Sequence, residues 1–289
     1  MKVVAFKVPN IKKEAFRIQE DKGTHFYDQL HQHPEIQVML ILHGEGTLIA
    51  GDYVGRFEPN DLYVIGSGQP HVFRSDKNYY SSKSKLKVRA ISIYFNEKYW
   101  GDSFWQLEEM KLVRKFSLKA SRGLQVNGKA KTEIAEEILK LKKVQGIEKL
   151  ILFLSVLKKF CEVKSTKPLS VSSGVNGFNP NEGKRMNAIL SFTFRESHRK
   201  IYIVEAANIA NLSVEAFCRY FKLHTQKTYT SFLNEIRISN ACQMLMNNKD
   251  WSIQDVCYQS GFNNISNFNR IFKKMTGKSP STYLKLDKS

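Results

Sequence analysis

The sequence predicts an α+β protein of two domains, an N-terminal domain made mostly of β-strands and an all-α C-terminal domain. Between Phe26 and Ile93, short apolar runs are separated by glycine-containing turns at intervals of about 8–12 residues, which is typical of a β-sandwich or a small barrel. From Lys129 onward, apolar residues recur at helical spacing instead. The 289 residues, 42% of them hydrophobic, also exceed the roughly 100–150 residues of one typical domain.

Composition and charge narrow the class of protein. The 45 basic and 27 acidic residues give a net charge of +18, which predicts attraction to nucleic acid, an anionic membrane or an acidic partner. The longest apolar run, 150–157, is far shorter than the roughly 20 residues of a membrane span, and residues 1–16 lack the apolar core of a signal peptide. The four cysteines form no CxxC pair, as expected of reduced thiols. We therefore expect a soluble cytoplasmic protein that does not enter a membrane.

The N-terminal domain is expected to cover residues 1–125. Its strands should lie where β-branched and aromatic residues cluster between glycine turns. These segments are 36–42, 47–50, 62–65, 72–74 and 87–94.

Residues 126–163 are expected to form two antiparallel helices. This helical pair could cover the barrel or form a dimer interface, and the pattern favours neither. Residues 164–182 are rich in Ser, Gly, Asn and Pro and predict a linker before a C-terminal domain at 183–289. The apolar positions of the pair are Ile134, Ile138 and Leu141, followed by Ile147, Leu150, Ile151, Leu154 and Leu157.

The C-terminal domain contains a two-copy internal repeat. Identical residues in its second part lie 51 positions apart, and matching residues in its first part lie 50 positions apart. The one-residue difference falls in a turn, where insertions are best tolerated. The pairs are Phe217/Phe268, Arg219/Arg270, Phe221/Phe272, Lys222/Lys273 and Thr225/Thr276, with Ala207/Cys257, Asn211/Gly261 and Leu212/Phe262 upstream.

Each copy predicts two helices joined by a tight turn. Asn211 and Gly261 stand at the turns, and both residue types tolerate a left-handed backbone. In the second helix of each copy, residues at i, i+3 and i+4 predict a stripe facing the core. The stripes are Phe217, Tyr220, Phe221 and Phe268, Ile271, Phe272; the outward faces carry Glu215, Ala216, Cys218, Arg219, Lys222 and Ser266, Asn267, Asn269, Arg270, Lys273.

Those outward faces are short, polar and basic, as a helix in a DNA major groove must be. An ordinary solvated face is the alternative for either helix alone, but two copies with arginine at the same position favour DNA. Residues 231–246, between the copies, are too apolar for a free surface helix. We expect this helix to pack against both copies and to hold the two reading helices about 34 Å apart, the distance between successive major grooves.

The segment from Ser252 to Tyr283 resembles the signature of AraC-type transcription regulators. The similarity rests on the Gly-Phe turn, the Phe-x-Arg-x-Phe-Lys-Lys core, the Thr-Gly helix end and the Ser-Pro-x-x-Tyr end, and it extends over about 100 residues. The resemblance implies binding to double-stranded promoter DNA. It implies base contacts from Glu215, Arg219, Ser266, Asn267 and Arg270, and phosphate contacts from Lys222, Arg237, Lys273 and Lys274.

The first copy departs from that signature at two positions. Gln226 stands where glycine is usual, and Glu215 is an acid beside the expected DNA. Glu215 could accept a hydrogen bond from a cytosine amino group, or it could simply stabilise the N-terminus of its own helix.

The N-terminal domain resembles the cupin barrel in two motifs. His31-Gln-His33, followed by an acidic residue and a glycine, is similar to the first motif, and the segment from Asn60 to His71 is similar to the second. Strand alternation would turn His31 and His33 to one face, and His71 could join them inside the barrel. AraC-type regulators often place such an effector-binding and dimerisation domain before the DNA-binding domain.

Gln37 stands where metal-binding cupins usually have glutamate. Because only neutral imidazoles would then remain as ligands, a metal is possible but not favoured, and we expect no metal and no cofactor. Instead, the histidines would be satisfied by hydrogen bonds near the barrel mouth or would line a pocket for a small-molecule effector. That pocket would include His31, His33, Gln37 and His71.

Together these features predict a sequence-specific transcription regulator and not an enzyme. We expect it to bind promoter DNA as a homodimer, to respond to an effector and to be able to meet RNA polymerase, with activation and repression both open. Two other functions compete with this one. A metal-dependent cupin enzyme with a basic appendage would need a bound metal, and a non-specific nucleic-acid binder would have no preferred sequence.

Overall fold

The structure, a computed structural model, describes residues 14–171, 180–248 and 250–286. The chain divides into two compact units, Met1–Pro180 and Asn181–Ser289. The first unit is rich in β-strands and the second is helical, which confirms the predicted fold class. Within the described ranges, no helix is both long and apolar enough to cross a membrane.

The N-terminal unit is built on two antiparallel sheets. Its strands are β1 (Phe16–Gly23), β2 (Ile36–His43), β3 (Gly46–Ala50), β4 (Tyr53–Phe57), β5 (Leu62–Ile65), β6 (His71–Ser75), β7 (Val88–Phe95), β8 (Leu124–Val126) and β9 (Thr166–Pro168). The larger sheet has the order β1-β7-β2-β5-β8-β9, and the smaller sheet has the order β4-β3-β6.

The two faces of the larger sheet bury different side chains because neighbouring residues of a strand point to opposite sides. On β2, Val38 and Leu40 pack into a core that also contains helical residues. Met39 and Ile41 pack into a second core with residues of the smaller sheet. Gln37 therefore lies on the side of β2 that faces the smaller sheet.

Helices cover the outer face of the larger sheet. They are α1 (Asp102–Trp105), α2 (Lys111–Ala120), α3 (Lys129–Leu141) and α4 (Gly146–Glu162). In α4, the apolar residues at helical spacing are not all buried, because Ile147 and Ile151 are 72% and 61% exposed. Phe153 decides the orientation of α4, because its ring packs against two rings of the larger sheet. Its ring centroid lies 3.9 Å from that of Phe16 and 5.5 Å from that of Phe95.

The region predicted as a linker is partly folded. Strand β9 pairs with β8, and the next helix begins at Pro180, so both ends of the predicted segment 164–182 belong to regular structure. Residues 172–179 lie outside the described residues. A three-residue strand is too short to show any periodicity, which is why the sequence did not reveal it.

The C-terminal unit consists of α5 (Pro180–Glu196), α6 (Ile203–Ile209), α7 (Val214–Thr225), α8 (Tyr229–Asn247), α9 (Ile253–Gln259), α10 (Ile265–Thr276) and α11 (Pro280–Leu286). Helices α6 and α7, and then α9 and α10, are the two pairs that the repeat predicted. Helix α8 packs against both pairs, as predicted. Phe232 of α8 contacts Phe221, with ring centroids 5.3 Å apart, whereas Ile238 shares a core with Phe268.

Candidate functional site

The two helix pairs turn through the same hydrogen bond, repeated 50 residues apart. The Leu212 N–H donates to the Ala207 carbonyl (3.0 Å), and the Phe262 N–H donates to the Cys257 carbonyl (3.1 Å). Because these are the residues that the repeat aligns, the two copies have the same backbone geometry at the turn.

Both turns pass through a left-handed residue. Asn211 has φ 53° and Gly261 has φ 92°. Glycine is required in the second turn for an additional reason, because a Cβ on Gly261 would lie only 2.1 Å from the Ser197 carbonyl oxygen. Asparagine suffices in the first turn because it tolerates this backbone conformation.

Helices α7 and α10 also begin and end alike, 51 residues apart. The side chains of Ser213 and Asn264 accept a hydrogen bond from the backbone N–H three residues further on, at 3.2 and 2.8 Å. Gln226 and Gly277 end the helices in the left-handed conformation, with φ 56° and 76°. Residues at equal distances from the two N-caps therefore occupy equal positions on the two helices.

The residues predicted to read bases lie on the exposed sides of α7 and α10. Arg219 and Arg270 stand at the same position of their helices, and Arg270 Nη2 donates to Asn267 Oδ1 (2.9 Å). Hydrogen bonds from its own backbone N–H and from Ser213 hold the pKa of Glu215 below its usual value, which favours the helix-terminus explanation for this acid. Ser266, Lys222, Lys273 and Lys274 are exposed as well.

Arg237 hydrogen-bonds to backbone carbonyls within the C-terminal unit. It belongs to α8, where its Nε donates to the Ser197 carbonyl (3.0 Å) and its Nη2 donates to the Arg199 carbonyl (2.7 Å). Its guanidinium also lies 5.7 Å from the ring centroid of Phe262. These contacts tie the end of α5 to the second turn, so Arg237 has a structural role within the protein.

The three histidines of the cupin-like motifs come together inside the N-terminal unit. One ring nitrogen of each of His31, His33 and His71 lies within 4.8 Å of the others, and all three residues are buried. The backbones of His31 and His71 exchange two hydrogen bonds, of 3.0 and 2.8 Å. Burial lowers the pKa of His31 to about 4 and the pKa of His71 well below its usual value, so both rings are neutral near pH 7.

Each of these imidazoles is oriented by a nearby backbone carbonyl. The Nδ1 atoms of His31, His33 and His71 lie 2.8, 3.1 and 2.8 Å from the carbonyl oxygen of a residue two positions away. A carbonyl oxygen can only accept, so the neutral ring of His31 carries its proton on Nδ1 and its lone pair on Nε2.

Gln37 links two of the histidines to the larger sheet. Its Oε1 lies 3.3 Å from His33 Nε2 and 3.0 Å from His71 Nε2. Its Nε2 donates to Ser92 Oγ and to the Tyr94 hydroxyl, both at 3.2 Å. These two hydrogen bonds orient the amide with its oxygen toward the histidines.

Two carboxylates lie just outside this cluster. Glu35 Oε2 is 3.4 Å from His33 Nδ1, and its other oxygen accepts a hydrogen bond from Tyr99. Asp21 accepts a hydrogen bond from Ser92 Oγ (2.7 Å). Burial acts to raise the pKa of Glu35, but hydrogen bonds from His33 and Tyr99 hold it below its usual value, whereas burial raises the pKa of Asp21.

A cavity of about 330 Å³ adjoins the histidine cluster, a size suited to a small molecule. His31, Gln37 and His71 line it, whereas His33 contacts Gln37 without lining the cavity. Asp21 and Tyr94 also line it, and the sequence analysis missed both. Tyr94 alternates with Ser92 in a predicted strand and could have been found, but Asp21 lies in β1, whose polar sequence has no strand periodicity.

Two protein-family models match the chain in the order that the structure shows. The model described as an AraC-like ligand binding domain matches residues 15–96, which include β1 to β7. The model described as a helix-turn-helix domain matches residues 206–286, from α6 to α11. Each match lies within one of the two units.

Curated proteins with similar sequences are regulators of the helix-turn-helix type. The chain is 24% identical over 271 residues to the uncharacterized HTH-type transcriptional regulator YdeC of Bacillus subtilis (strain 168), covering 90% of this chain and 87% of that protein. It is 21% identical over 264 residues to the HTH-type transcriptional activator RhaR of Mannheimia succiniciproducens, covering 88% and 86%.

Solved structures with some similarity include ToxT from Vibrio cholerae O395. That match has 16% identity and a TM-score of 0.36, and it covers 94% of this chain and 98% of ToxT. The DNA-binding domain of AdpA, solved in complex with a target DNA, matches with 22% identity and a TM-score of 0.33, covering 34% of this chain and 87% of that domain.

Proposed function

We propose that this chain, which belongs to the AraC-type transcription regulators, reads two successive major grooves of promoter DNA with α7 and α10. Its matched domains and relatives are those of DNA-binding transcription regulators with a ligand-binding domain, and not those of an enzyme. The alternative of a cupin enzyme with a basic appendage is therefore set aside.

The observation that carries the proposal is the equal placement of two exposed arginines. Arg219 and Arg270 stand at the same position of helices that share their N-cap, their left-handed C-cap and the turn before them. Helix α8 packs against both helix pairs and so fixes their separation. We infer that this separation matches the roughly 34 Å between major grooves on one side of a DNA duplex.

We assign each DNA contact from the hydrogen-bonding groups and charge of the exposed side chain. Arginine binds guanine through two hydrogen bonds, asparagine binds adenine in the same way, and lysine neutralises phosphate. We assign base contacts to Glu215, Arg219, Ser266, Asn267 and Arg270, and phosphate contacts to Lys222, Lys273 and Lys274.

We further propose that the chain acts as a homodimer in the cytoplasm, that a small-molecule effector occupies the cavity and that the DNA-bound protein can contact RNA polymerase. The cavity of about 330 Å³ with polar lining supports an effector. The exposed Ile147 and Ile151 on α4 support an interface at the helical pair. An effector would act by binding one of two arrangements of the regulator more tightly.

Competition binding tests the DNA contacts. The binding site is first selected from fragments of genomic DNA. Replacing Arg219 or Arg270 by alanine should then cost about 1–3 kcal/mol of binding free energy on that site and relax the preference at one base. Replacing Lys273 by alanine should weaken binding to specific and scrambled duplexes alike, because a phosphate contact carries no sequence information.

A matched control is Arg195→Ala, since this exposed arginine of α5 is paired with Glu196 (2.6 Å) and lies outside the two reading helices. It should leave the base preference unchanged. Equal losses on specific and scrambled duplexes for Arg219→Ala and Arg270→Ala would instead support a non-specific nucleic-acid binder.

A further inference from the structure

We propose that a cavity inside the C-terminal unit binds the phosphate group of a small molecule, with Arg237 and Lys200 as its cationic ligands. The proposal goes beyond the reading of DNA and does not depend on it. It rests on three observations, namely the cationic lining of the cavity, two positive charges that lack an acidic partner and the position of the cavity between the two helix pairs.

The cavity lies beside the second turn and has a volume of about 330 Å³, a size suited to a small molecule. Within the described part of the chain, no acidic side chain lines it. A concave surface lined by charges of one sign concentrates their field and attracts small ions of the opposite sign. The lining includes three cationic side chains, one histidine and two aromatic rings, namely Arg199, Lys200, Arg237, His198, Tyr258 and Phe262.

Arg237 carries a charge that no carboxylate offsets. Its guanidinium is partly buried and donates to the backbone carbonyls of Ser197 and Arg199. Burial lowers the pKa of Arg237, and no carboxylate of the described residues acts to raise it again. Because a charge removed from water is unfavourable without an opposite charge nearby, a bound anion would stabilise this arginine.

The other two cations of the lining differ in their partners. Arg199 is neutralised by Glu196 and Glu205, each at 2.8 Å. Lys200 instead is exposed, and its Nζ lies 4.5 Å from the ring centroid of Tyr202 without an acidic partner in the described ranges. Two unbalanced positive charges remain, on Lys200 and Arg237. They match the charge of a phosphate monoester, which is about −1.5 to −2 near pH 7.

The donors suit the oxygens of a phosphate group. Guanidinium and ammonium groups both donate charge-assisted hydrogen bonds to phosphate. Because Nε and Nη2 of Arg237 donate to carbonyls, the N–H groups of its Nη1 are the ones left for a ligand. Tyr258 and Phe262 provide apolar surface beside the charges, so a phosphorylated molecule with an apolar part should bind more tightly than inorganic phosphate.

The cavity is formed where the two helix pairs meet. Residues 198–201 lead into α6 of the first pair, Gly261 and Phe262 form the turn of the second pair, and Arg237 belongs to α8. A ligand that contacts all three segments would hold the first pair against the second. Its effect on the distance between α7 and α10 rests on the proposed function, whereas its binding does not.

Titration with inorganic phosphate in the absence of DNA tests the proposal. The full-length protein is labelled with ¹⁵N, and its backbone amide signals are followed by NMR at constant pH. We expect the signals of Gly261, Phe262 and Asn263 to shift along one saturable curve, because these residues line the cavity. Sodium chloride at equal ionic strength should not reproduce the curve, since a bound phosphate makes directed hydrogen bonds that general screening does not.

Variants locate the site. Arg237→Gln should abolish the saturable response. Lys200→Glu changes an exposed residue without internal hydrogen bonds to its side chain, so it should fold and should weaken phosphate binding at least about fivefold, because it replaces an attraction by a repulsion. Lys184→Glu is the matched control. It reverses the same charge at an exposed position near the other end of α5 and should leave phosphate binding unchanged.

Three results would overturn the proposal. The first is a response that chloride reproduces or that does not saturate, and the second is equal affinity for phosphate in Lys200→Glu and Lys184→Glu. The third is a set of cavity amides that shift when duplex DNA is added but not when phosphate is added, which would assign the cavity to the DNA backbone. Because the phosphate titration contains no DNA, its outcome is independent of whether α7 and α10 read bases.

Discussion

Gln226 ends α7 in the backbone conformation that Gly277 adopts at the equivalent end of α10. Their φ angles are 56° and 76°, and each backbone N–H donates to the carbonyl four residues earlier at 2.9 Å. Glycine adopts this conformation without a steric cost, whereas a residue with a Cβ pays on the order of 1 kcal/mol. The departure from the repeat noted at Gln226 in the sequence is thus a point of backbone strain.

We expect Gln226→Gly to stabilise the C-terminal unit by up to about 1 kcal/mol, because it relieves that strain at the cost of one exposed side-chain hydrogen bond. The reciprocal change, Gly277→Gln, should destabilise the unit by a similar amount. Its Cβ would meet no atom within 4 Å, so only the backbone conformation would be at issue. Urea denaturation followed by circular dichroism measures both, and a stabilising Gly277→Gln would contradict the explanation.

Arg237 shows how a residue can fit a sequence pattern and still have another role. A basic residue near two DNA-reading helices is a reasonable phosphate contact, and nothing in its neighbours along the chain argues otherwise. Its partners, the carbonyls of Ser197 and Arg199, come from a different helix end about forty positions away. Only the tertiary structure brings these groups together.

At the scale of the element, α4 shows that helical spacing of apolar residues predicts a helix but not which of those residues become buried. The spacing of its apolar residues predicted a helix, and a helix covers Gly146–Glu162. The helix has more apolar residues than one face can bury, so the packing of Phe153 against β1 and β7 decided which remain outside. Ile147 and Ile151 are left exposed on neighbouring turns, which is the reason to expect a partner there.

Ile151→Lys tests the proposed dimer interface. A charge in the centre of an apolar interface should weaken dimerisation by about tenfold or more, because it must be desolvated without a partner. Analytical ultracentrifugation over a range of concentrations measures the change. Leu118→Lys on α2, at a residue that is 75% exposed, is the control and should leave the dimer intact.

If both lysine variants dimerise like the unmodified protein, α4 is not the interface.

The strands also show which elements a local sequence pattern can predict. Segments rich in β-branched residues were predicted close to their observed bounds, whereas β1, β4, β8 and β9 were missed. The ladders of β1, β8 and β9 depend on pairing between distant segments.

At the scale of the whole molecule, the C-terminal unit combines an excess of basic residues with both helix pairs. The chain carries a net charge of +18, and the segment from Gly183 to Ser289 has 16 basic and 7 acidic residues. The unit Asn181–Ser289 has its own buried core and both helix pairs. Non-specific attraction and base reading are therefore expected of this unit by itself.

Expression of residues 181–289 alone tests that expectation. We expect the fragment to fold and to keep the base preference of the full chain, but to bind a site with two half-sites about 10²-fold or more weaker, because it lacks the second copy that dimerisation supplies. Fluorescence anisotropy at several salt concentrations measures both the affinity and its salt dependence. A fragment with full affinity would speak against a functional dimer.

The sequence by itself determined the helical C-terminal domain with its two helix pairs, because a cap, a turn or a stripe at i, i+3 and i+4 is specified by residues within one or two helical turns. The tertiary structure alone decided which apolar residues of α4 stay exposed, what Arg237 contacts and how Gln37 is turned toward the histidines. Each of these depends on groups from distant segments, and long-range packing leaves no local pattern along the chain.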